Sequence, residues 1–514
     1  MTNYGITGEI GMDMKTTYRR NLLKTACATA VLQCMPGMAR AQSGYRIRLE
    51  WQSFKKTVHY QSFLNAIAAM RANTNPTSRN SLHYWANVHV NHCPHGSPYF
   101  CAWHRGYLHF FERQLQILSG DPGLNVPYWD YFSYSTLPAE FTDPAPGNPL
   151  YLPRMTGNVY NALDLSPFAP GVYNFQHGRV NAFEPKLENI HNPVHNLIGG
   201  IMATMQSPLD PIFYLHHGNI DRLTHAWALP DGKGIPLSAF PYSPSNSDPY
   251  WAGNHVYAAD LSIERFLTLI PTWLNNDYER NNVPTTLPPV PGSAPAITSR
   301  LSTSTSTILP STKRPPSLSL SAVSGREVSS TRRSLGGVQQ LPFDEQSATV
   351  QLRFNRSDAQ ELGQLAARRR SERGAGKPKT PGAVKLVIDR VVVSDIGRLG
   401  GYFYALYLNM PASVDTPSLR TRSYIGNLGA FEIAAASHHG PATLEYDISD
   451  LLADQGVSDF SGLSLSWIRV NGNNAPAGRT LQAAEIRAEL AYDQQPVEAP
   501  SLPKPPGWYR GRKA

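Results

Sequence analysis

Two histidine-rich stretches constrain this chain more than any other feature. Five of its sixteen histidines fall between Ala86 and Arg113, in ANVHVNHCPHGSPYFCAWHRGYLHFFER, together with Cys93 and Cys101. Further along, ENIHNPVHNLIGG places His191 and His195 four residues apart, and DPIFYLHHGNIDRL carries the adjacent pair His216 and His217. Imidazole suits copper, zinc, iron or nickel, and a loop followed by a helix can bring three rings to one point. Two such modules on one chain imply a dinuclear site.

In the first module His104 opens an amphipathic run, with Leu108, Phe111, Leu115 and Leu118 at spacings of three and four. His95 sits in the Pro-Gly turn before it, so both rings can face one ion. A third ligand must come from upstream, where His83, His89 and His92 compete. His89 is preferred because it ends a predicted helix over Ser81–His89. In the second module His191 and His195 share a helical face. Their spacing is that of the HExxH zinc motif, but Asn192, Pro193 and Val194 stand between them and the glutamate base is absent. His216 and His217 point about 100° apart on a helix, so only one should bind. His217 has Asp221 four residues on as an acceptor for its ring N–H.

The length allows two or three domains. The net charge of +8 collects in the N-terminal leader, the Pro/Ser/Thr-rich segment, Arg368–Arg373 and the C-terminal tail. No basic stripe interleaves with aromatics, so no nucleic-acid partner is expected. TYRRNLLKTACATAVLQCMPGMARAQ has Arg19 and Arg20, a short apolar run and Ala39-Arg40-Ala41. It resembles a twin-arginine export signal over 1–41 and implies a periplasmic or secreted protein. No run reaches the roughly 18 apolar residues of a membrane span, so no transmembrane segment is expected. Two cysteines beyond the leader imply no disulfide framework.

Periodicity predicts helices over Lys56–Ala72, Ser81–His89, His104–Leu118 and Pro211–Trp227. Another begins near His191, with Pro193 confined to its first turn, and Ser133–Val180 reads mostly as loop. Pro284–Gln340, dominated by Pro, Ser and Thr, reads as a disordered linker. The runs TVQLRF, VKLVIDRVVV, YFYALYLNM, ATLEYDI, LSLSWIRV and EIRAELAY then predict a β-sandwich of roughly six to eight strands. Its Arg-rich insert, Ser357–Pro381, reads as partly helical or mobile. The expected domains are a leader (1–41), a mainly helical domain (42–283), the linker (284–340), an all-β sandwich (341–495) and a basic tail (496–514).

CPHGSPYFCAWHRGYLHFFER, HNPVHNLIGG and DPIFYLHHGNIDRL, with NVPYWDY between them, resemble the copper modules of tyrosinases in the type-3 copper family, over Tyr45 to about Asn281. The resemblance implies a four-helix core holding two copper ions, with His89, His95 and His104 on one and His191, His195 and His217 on the other. Six neutral imidazoles suit a redox-active copper pair better than structural zinc, which favours closed, cysteine-containing sites. Also implied are a thioether between Cys93 and His95, and a water held by Glu188 and Asn192 that takes a phenol proton. Read locally, Glu188 is a helix-start carboxylate and Asn192 a cap. Asn196 and Phe213 are expected at the pocket, Phe213 being equally accounted for as a core aromatic. Cys101 and Tyr131 depart from the family pattern, which usually has a larger apolar residue and a tryptophan there.

From about Val384 to Leu490 the chain resembles the C-terminal domain of plant-type polyphenol oxidases, which in relatives covers the copper site until cleavage. The expected activity is therefore that of a tyrosinase: dioxygen-dependent hydroxylation of monophenols such as tyrosine to o-diphenols such as DOPA, and their oxidation to o-quinones. A catechol or o-aminophenol oxidase without hydroxylase activity, or a haemocyanin-like oxygen carrier, would use the same ligands. The expected partners are small phenols, a copper-delivery chaperone and an activating protease.

Overall fold

Apolar spacing builds the first domain. In α1 (His59–Ala72) the buried residues Phe63, Ala66, Ile67 and Met70 recur at helical intervals. α2 (Leu82–His92) starts where the Ser81 hydroxyl accepts the His83 N–H at 3.1 Å, and it runs past His89 to His92. α3 (Phe100–Ser119) begins four residues before His104 and stops at Gly120, whose φ of 68° closes a left-handed cap. The computed structural model describes residues 45–179, 181–228, 249–291, 313–375, 382–413, 419, 422–437 and 441–492. The expected leader, the tail and the middle of the expected linker lie outside the described residues. No described helix is long and apolar enough to cross a membrane.

α4 departs most from the sequence expectation. It spans Phe183–Ile198, so it begins well before His191 and carries Pro193 in its third turn, not its first. Proline offers no N–H to the carbonyl four residues back, and that carbonyl belongs to Asn189. Here it accepts Asn427 Nδ2 of the second domain at 2.9 Å, so the tertiary structure supplies the donor the helix lacks. α5 (Ile212–Ala228) is buried along its whole length, as befits the central helix of a core. Around the helices lie β1 (Arg46–Arg48), the hairpin β2 (Asn254–Ala258) and β3 (Leu261–Glu264), and β4 (Asn276–Tyr278), which pairs parallel with β1. Between α3 and α4 the described chain makes only short turns, at Ala139–Thr142, Tyr160–Ala162 and Ser166–Phe168.

The second domain is a sandwich of two antiparallel sheets. Its strands are β5 (Ala322–Ser329), β6 (Arg332–Phe343), β7 (Ala348–Arg353), β8 (Ala383–Val393), β9 (Tyr402–Leu408), β10 (Tyr424–Leu428), β11 (Ala442–Asp447), β12 (Gly462–Asn471) and β13 (Leu481–Ala491). One sheet has the order β11-β8-β13-β6-β5 and the other β10-β9-β12-β7. β5 and most of β6 fall inside the stretch expected to be linker. β5 is an exposed edge strand, and its Arg326 and Glu327, with Arg332 and Arg333 in β6, hide the strand pattern. Three helices accompany the sheets: α6 (Arg356–Ala375), α7 (Ala430–Ala436) and α8 (Ser449–Gln455). α6 occupies most of the Arg-rich insert and sends Leu362, Leu365 and Ala366 into the sandwich core.

The core of the helical domain extends onto the outer face of the sandwich, which keeps a core of its own. Along β9, Tyr402, Tyr404, Leu406 and Leu408 face the sandwich interior, while Phe403, Ala405 and Tyr407 join Ile468 and Val470 of β12 against the helical domain. A strand buried on both faces reads as an unbroken apolar run, as YFYALYL does. Glycines allow backbone to meet backbone at this seam. A Cβ on Gly400, whose φ is 69°, would stand 2.7 Å from Gly199 Cα, and one on Gly429 would stand 2.4 Å from Asn196 Nδ2.

The proline in α4 makes the seam testable. Asn427→Ala leaves the part-buried Asn189 carbonyl without its donor and should cost about 0.5–1.5 kcal/mol of stability in denaturant unfolding. In a Pro193→Ala background the helix regains its own N–H donor, so the same substitution should cost clearly less. Equal costs in the two backgrounds would refute the coupling.

Candidate metal centre

Most of the clustered rings are oriented by an oxygen acceptor. A carbonyl oxygen only accepts, so the ring nitrogen facing it carries the proton and the opposite nitrogen presents a lone pair. His89 Nδ1 faces Met205 O at 2.8 Å, His104 Nδ1 faces Phe100 O at 2.7 Å, and His195 Nδ1 faces Met202 O at 2.8 Å. His191 Nδ1 faces the side-chain Oδ1 of Asn192 at 2.8 Å. In all four the Nε2 lone pair is therefore left for the centre of the cluster, the arrangement that outer partners give to metal-binding histidines.

The α4 and α5 rings meet closely. His217 Nε2 lies 3.1 Å from His191 Nε2 and 3.4 Å from His195 Nε2. Nitrogens each about 2.1 Å from one ion stand about 3.4 Å apart at a tetrahedral angle, so these three fit a single small cation. His216, the other member of the adjacent pair, is fully buried and lies 4.9 Å from His191 ring to ring, but neither of its ring nitrogens is hydrogen-bonded among the described residues. On the other side His89 ends the last turns of α2, His95 lies in the loop and His104 is on α3. Their ring centroids are 5.2 to 5.8 Å apart. The two sets face each other across one pocket, with His104 stacked on His217 at 4.3 Å and His95 on His191 at 5.6 Å. A donor set of imidazoles with one thiol, Cys93, and no carboxylate fits copper. His83 and His92 stay at the ends of α2, outside the cluster, and His109 is buried against arginines that, with burial, push it down to about 3.

Other expected participants take varied places. Glu188 is buried, and its Oε1 accepts the Gly96 N–H at 2.7 Å in the loop after His95. Burial pushes its carboxyl up to about 8. Asn192 holds His191 directly. Cys93 Sγ is 3.7 Å from His95 Nε2 and 3.2 Å from His104 Nε2. Phe213 packs its ring 4.1 Å from His217 and 5.2 Å from His89, behind both sets. Asp221 does not serve His217, whose Nδ1 has no hydrogen bond among the described residues. Its carboxylate instead takes Arg105 Nε at 2.6 Å, Arg48 Nη1 at 3.0 Å and the Tyr278 hydroxyl at 2.5 Å. Those cations come from β1 and α3, far away in sequence, so i+4 spacing alone misassigned it.

The second domain supplies residues that sequence reasoning missed. Phe431, at the start of α7, stacks on His195 at 4.1 Å with 18° between planes, and lies 5.1 Å from His95. Asn196 holds it there: its Oδ1 accepts the Phe431 N–H at 2.9 Å and its Nδ2 donates to Glu432 at 2.6 Å. The Asn196 carbonyl accepts the Gly401 N–H at 2.7 Å. Nothing local in GNLGAFEIAAA marks this phenylalanine, because its partner lies in another domain.

Comparisons with known proteins agree with these motifs. The family model for the common central domain of tyrosinase matches residues 59–162 and 154–229. The tyrosinase of Streptomyces glaucescens is 30% identical, over 32% of this chain and 76% of that protein. The tyrosinase HcTyr1 of Hahella sp. (strain CCB-MM4) is 31% identical, and the match spans 29% of this chain and only 40% of that protein. Hemocyanin 1 of Megathura crenulata is 32% identical over 26% of this chain and 5% of its own length. Among solved structures, latent apple tyrosinase is 18% identical with a TM-score of 0.48, over 88% of this chain and 99% of that one.

Burial, and then the neighbouring rings, hold His191 and His217 far below the ordinary histidine value of 6.5. Burial does the same for His104, His195 and His216. The sign follows by linkage: below pH 6.5 the unfolded chain protonates these rings and the fold does not, so stability present above 6.5 is lost as pH falls. Metal-free protein should lose about 1.4 kcal/mol per pH unit for each such ring. Urea midpoints measured between pH 7.5 and 5 should fall with uptake of more than one proton. A flat profile would contradict the buried neutral assignment.

Proposed function

The chain belongs to the tyrosinase family of type-3 copper proteins, and from that membership we propose that it is a tyrosinase. In this proposal it hydroxylates monophenols to o-diphenols and oxidises o-diphenols to o-quinones with dioxygen. His89, His95 and His104 hold one copper, and His191, His195 and His217 hold the other. Copper, when bound, supplies the binding and reduction of dioxygen. The observation that carries the proposal is the convergence of buried imidazoles from α2, α3, α4 and α5 on one cluster, four of them with Nδ1 on an oxygen acceptor and Nε2 facing inward.

The chain's own groups do the rest. A phenol ligates metal well only once its hydroxyl proton has gone, and a carboxylate within reach can accept that proton through a water. Glu188 is the base in this scheme: one oxygen is anchored on the Gly96 N–H, and the other takes the proton. Burial raises the pKa of Glu188 in the metal-free chain, and positive charge held by the neighbouring histidines would favour its carboxylate form. Asn192 fixes His191 through Oδ1 and leaves Nδ2 to hold the water. Phe431 occupies the place over His195 where a substrate ring would stack, so the β-domain keeps the site closed and the enzyme latent. Cys93, within 4 Å of His95 Nε2, is the partner for the thioether.

Oxygen uptake by copper-loaded protein, with tyrosine and with L-DOPA, tests this assignment. Wild type should be slow with both, and Phe431→Ala should raise uptake with L-DOPA severalfold in the intact chain. In that background Glu188→Gln and Asn192→Asp should depress tyrosine turnover more than L-DOPA turnover. Uptake with L-DOPA alone would make the protein a catechol oxidase, and no turnover after opening would favour an oxygen carrier. Intact mass gives an independent check: copper-loaded protein should weigh two hydrogens less than the sequence mass if the thioether forms, and an unchanged mass rules it out.

A further inference from the structure

One fully buried acid has no part in this scheme. Glu184 lies on α4, two helical turns before His191, and four hydrogen-bond donors surround it. Its Oε1 accepts the Cys101 N–H at 3.1 Å and the Tyr250 hydroxyl at 2.7 Å, its Oε2 accepts the His177 N–H at 3.0 Å, and the Tyr99 N–H also faces it. Cys101 is in the first turn of α3, the helix that carries His104. The first N–H groups of any helix lack partners inside it, and α3 has no capping side chain of its own. Its first residues are therefore capped in trans, by a carboxylate from the helix of the other ligand set.

The loop that needs holding is strained. Between His95 and His104 the backbone turns left-handed at Gly96 (φ 62°) and again at Tyr99 (φ 84°), a conformation unfavourable for a tyrosine. Carboxyls of α4 anchor the loop at both places, Glu188 at Gly96 and Glu184 at Tyr99 and Cys101. Glu184, Glu188, His191 and His195 thus lie along one face of α4. That helix presents two rings of the second set and fixes the backbone that presents two rings of the first.

We propose that Glu184 is a positioning residue for the first copper: by capping α3 from α4, it sets His95 and His104 at the separation from the second set that a copper pair requires. The proposal rests on the dicopper assignment above. Gln at 184 keeps the shape but turns an amide N–H toward one pair of donors, so the cap cannot be satisfied on both sides. Loss of such an outer partner typically weakens metal binding about 10- to 100-fold.

Copper titration of the full chain, with EPR and thermal melting, tests it. Wild type should take up two coppers and, when oxidised, show little EPR signal, because an exchange-coupled cupric pair hides its spins. Glu184→Gln should keep one tight site, lose about 10- to 100-fold in affinity at the other, and show the spectrum of a lone cupric ion. Tyr250→Phe removes one donor of the same carboxylate while keeping the ring that packs 4.6 Å from Tyr99, and should lower the melting temperature while keeping both coppers. Should Glu184→Gln not fold, Glu184→Asp, which keeps the charge but withdraws it by one methylene, carries the same test. Two coppers bound with wild-type affinity and a silent spectrum in the folded variant would overturn the proposal. Wild-type protein binding fewer than two coppers would overturn the dicopper assignment instead, a result read from the unmutated chain.

Discussion

Convergence of imidazole nitrogens in one buried cluster is the interaction on which the rest of this molecule depends. The Nε2 atoms of His191 and His195 lie 3.1 and 3.4 Å from His217 Nε2, lone pairs gathered this closely repel unless a proton or cation lies among them, and burial disfavours relief by protonating the rings to the charged form. The fold must therefore hold these rings against their own electrostatics. It does so with groups that only accept: the carbonyls of Phe100, Met202 and Met205 and the amide oxygen of Asn192. Behind them the buried Arg48–Glu112–Asp221–Arg105 network, closed by Tyr278, clamps β1, α3, α5 and β4 together. Removing one member would leave a buried charge unpaired, which is costly even where the intact network adds little net stability.

α4 is the element through which these demands are coordinated. Along its length it caps α3 with Glu184, anchors the Gly96 loop with Glu188, presents His191 and His195, and ends in Asn196, which grips the second domain. Pro193 adds the free carbonyl of Asn189 to that grip. A helix that merely packed would need none of these polar groups. Their burial is tolerable only because nearly every one meets a partner from another segment.

Legibility in the sequence followed the range of the interaction. Periodicity exposed α1, α3 and α5 because their burial repeats locally, and the paired histidine modules exposed the centre because ligands cluster in sequence. The start of α4 was misplaced because the proline rule is local, whereas its missing hydrogen bond is replaced by Asn427, 238 residues away. β5 reads as linker because an exposed edge strand needs few apolar residues, and the start of β6 does so because Arg332, Arg333, Ser334 and two glycines mask its burial. Asp221 was assigned to His217 by spacing, yet its partners Arg105 and Arg48 are 116 and 173 residues off. Phe431 carried no signal because a plug is defined by the socket it fills. The unbroken apolar run of β9 has the composition of a strand buried on both faces, but its sequence does not say what covers the second.

That second face also limits how the site can open. Detaching the whole β-domain would expose Phe403, Tyr407, Ile468 and Val470 with their counterparts, each large side chain costing about 1.5–3 kcal/mol. It would also release the Asn427, Gly401 and Asn196 hydrogen bonds. Lifting α7 alone gives up Phe431, Ile433 and two hydrogen bonds to the Asn196 side chain, about 4–9 kcal/mol together. The smaller motion is therefore favoured, and a cut between the domains would leave the sheet seated by its own apolar face. Under the latency proposed here, cleavage weakens the connection, but access to His195 is governed by the seven-residue helix that carries Phe431.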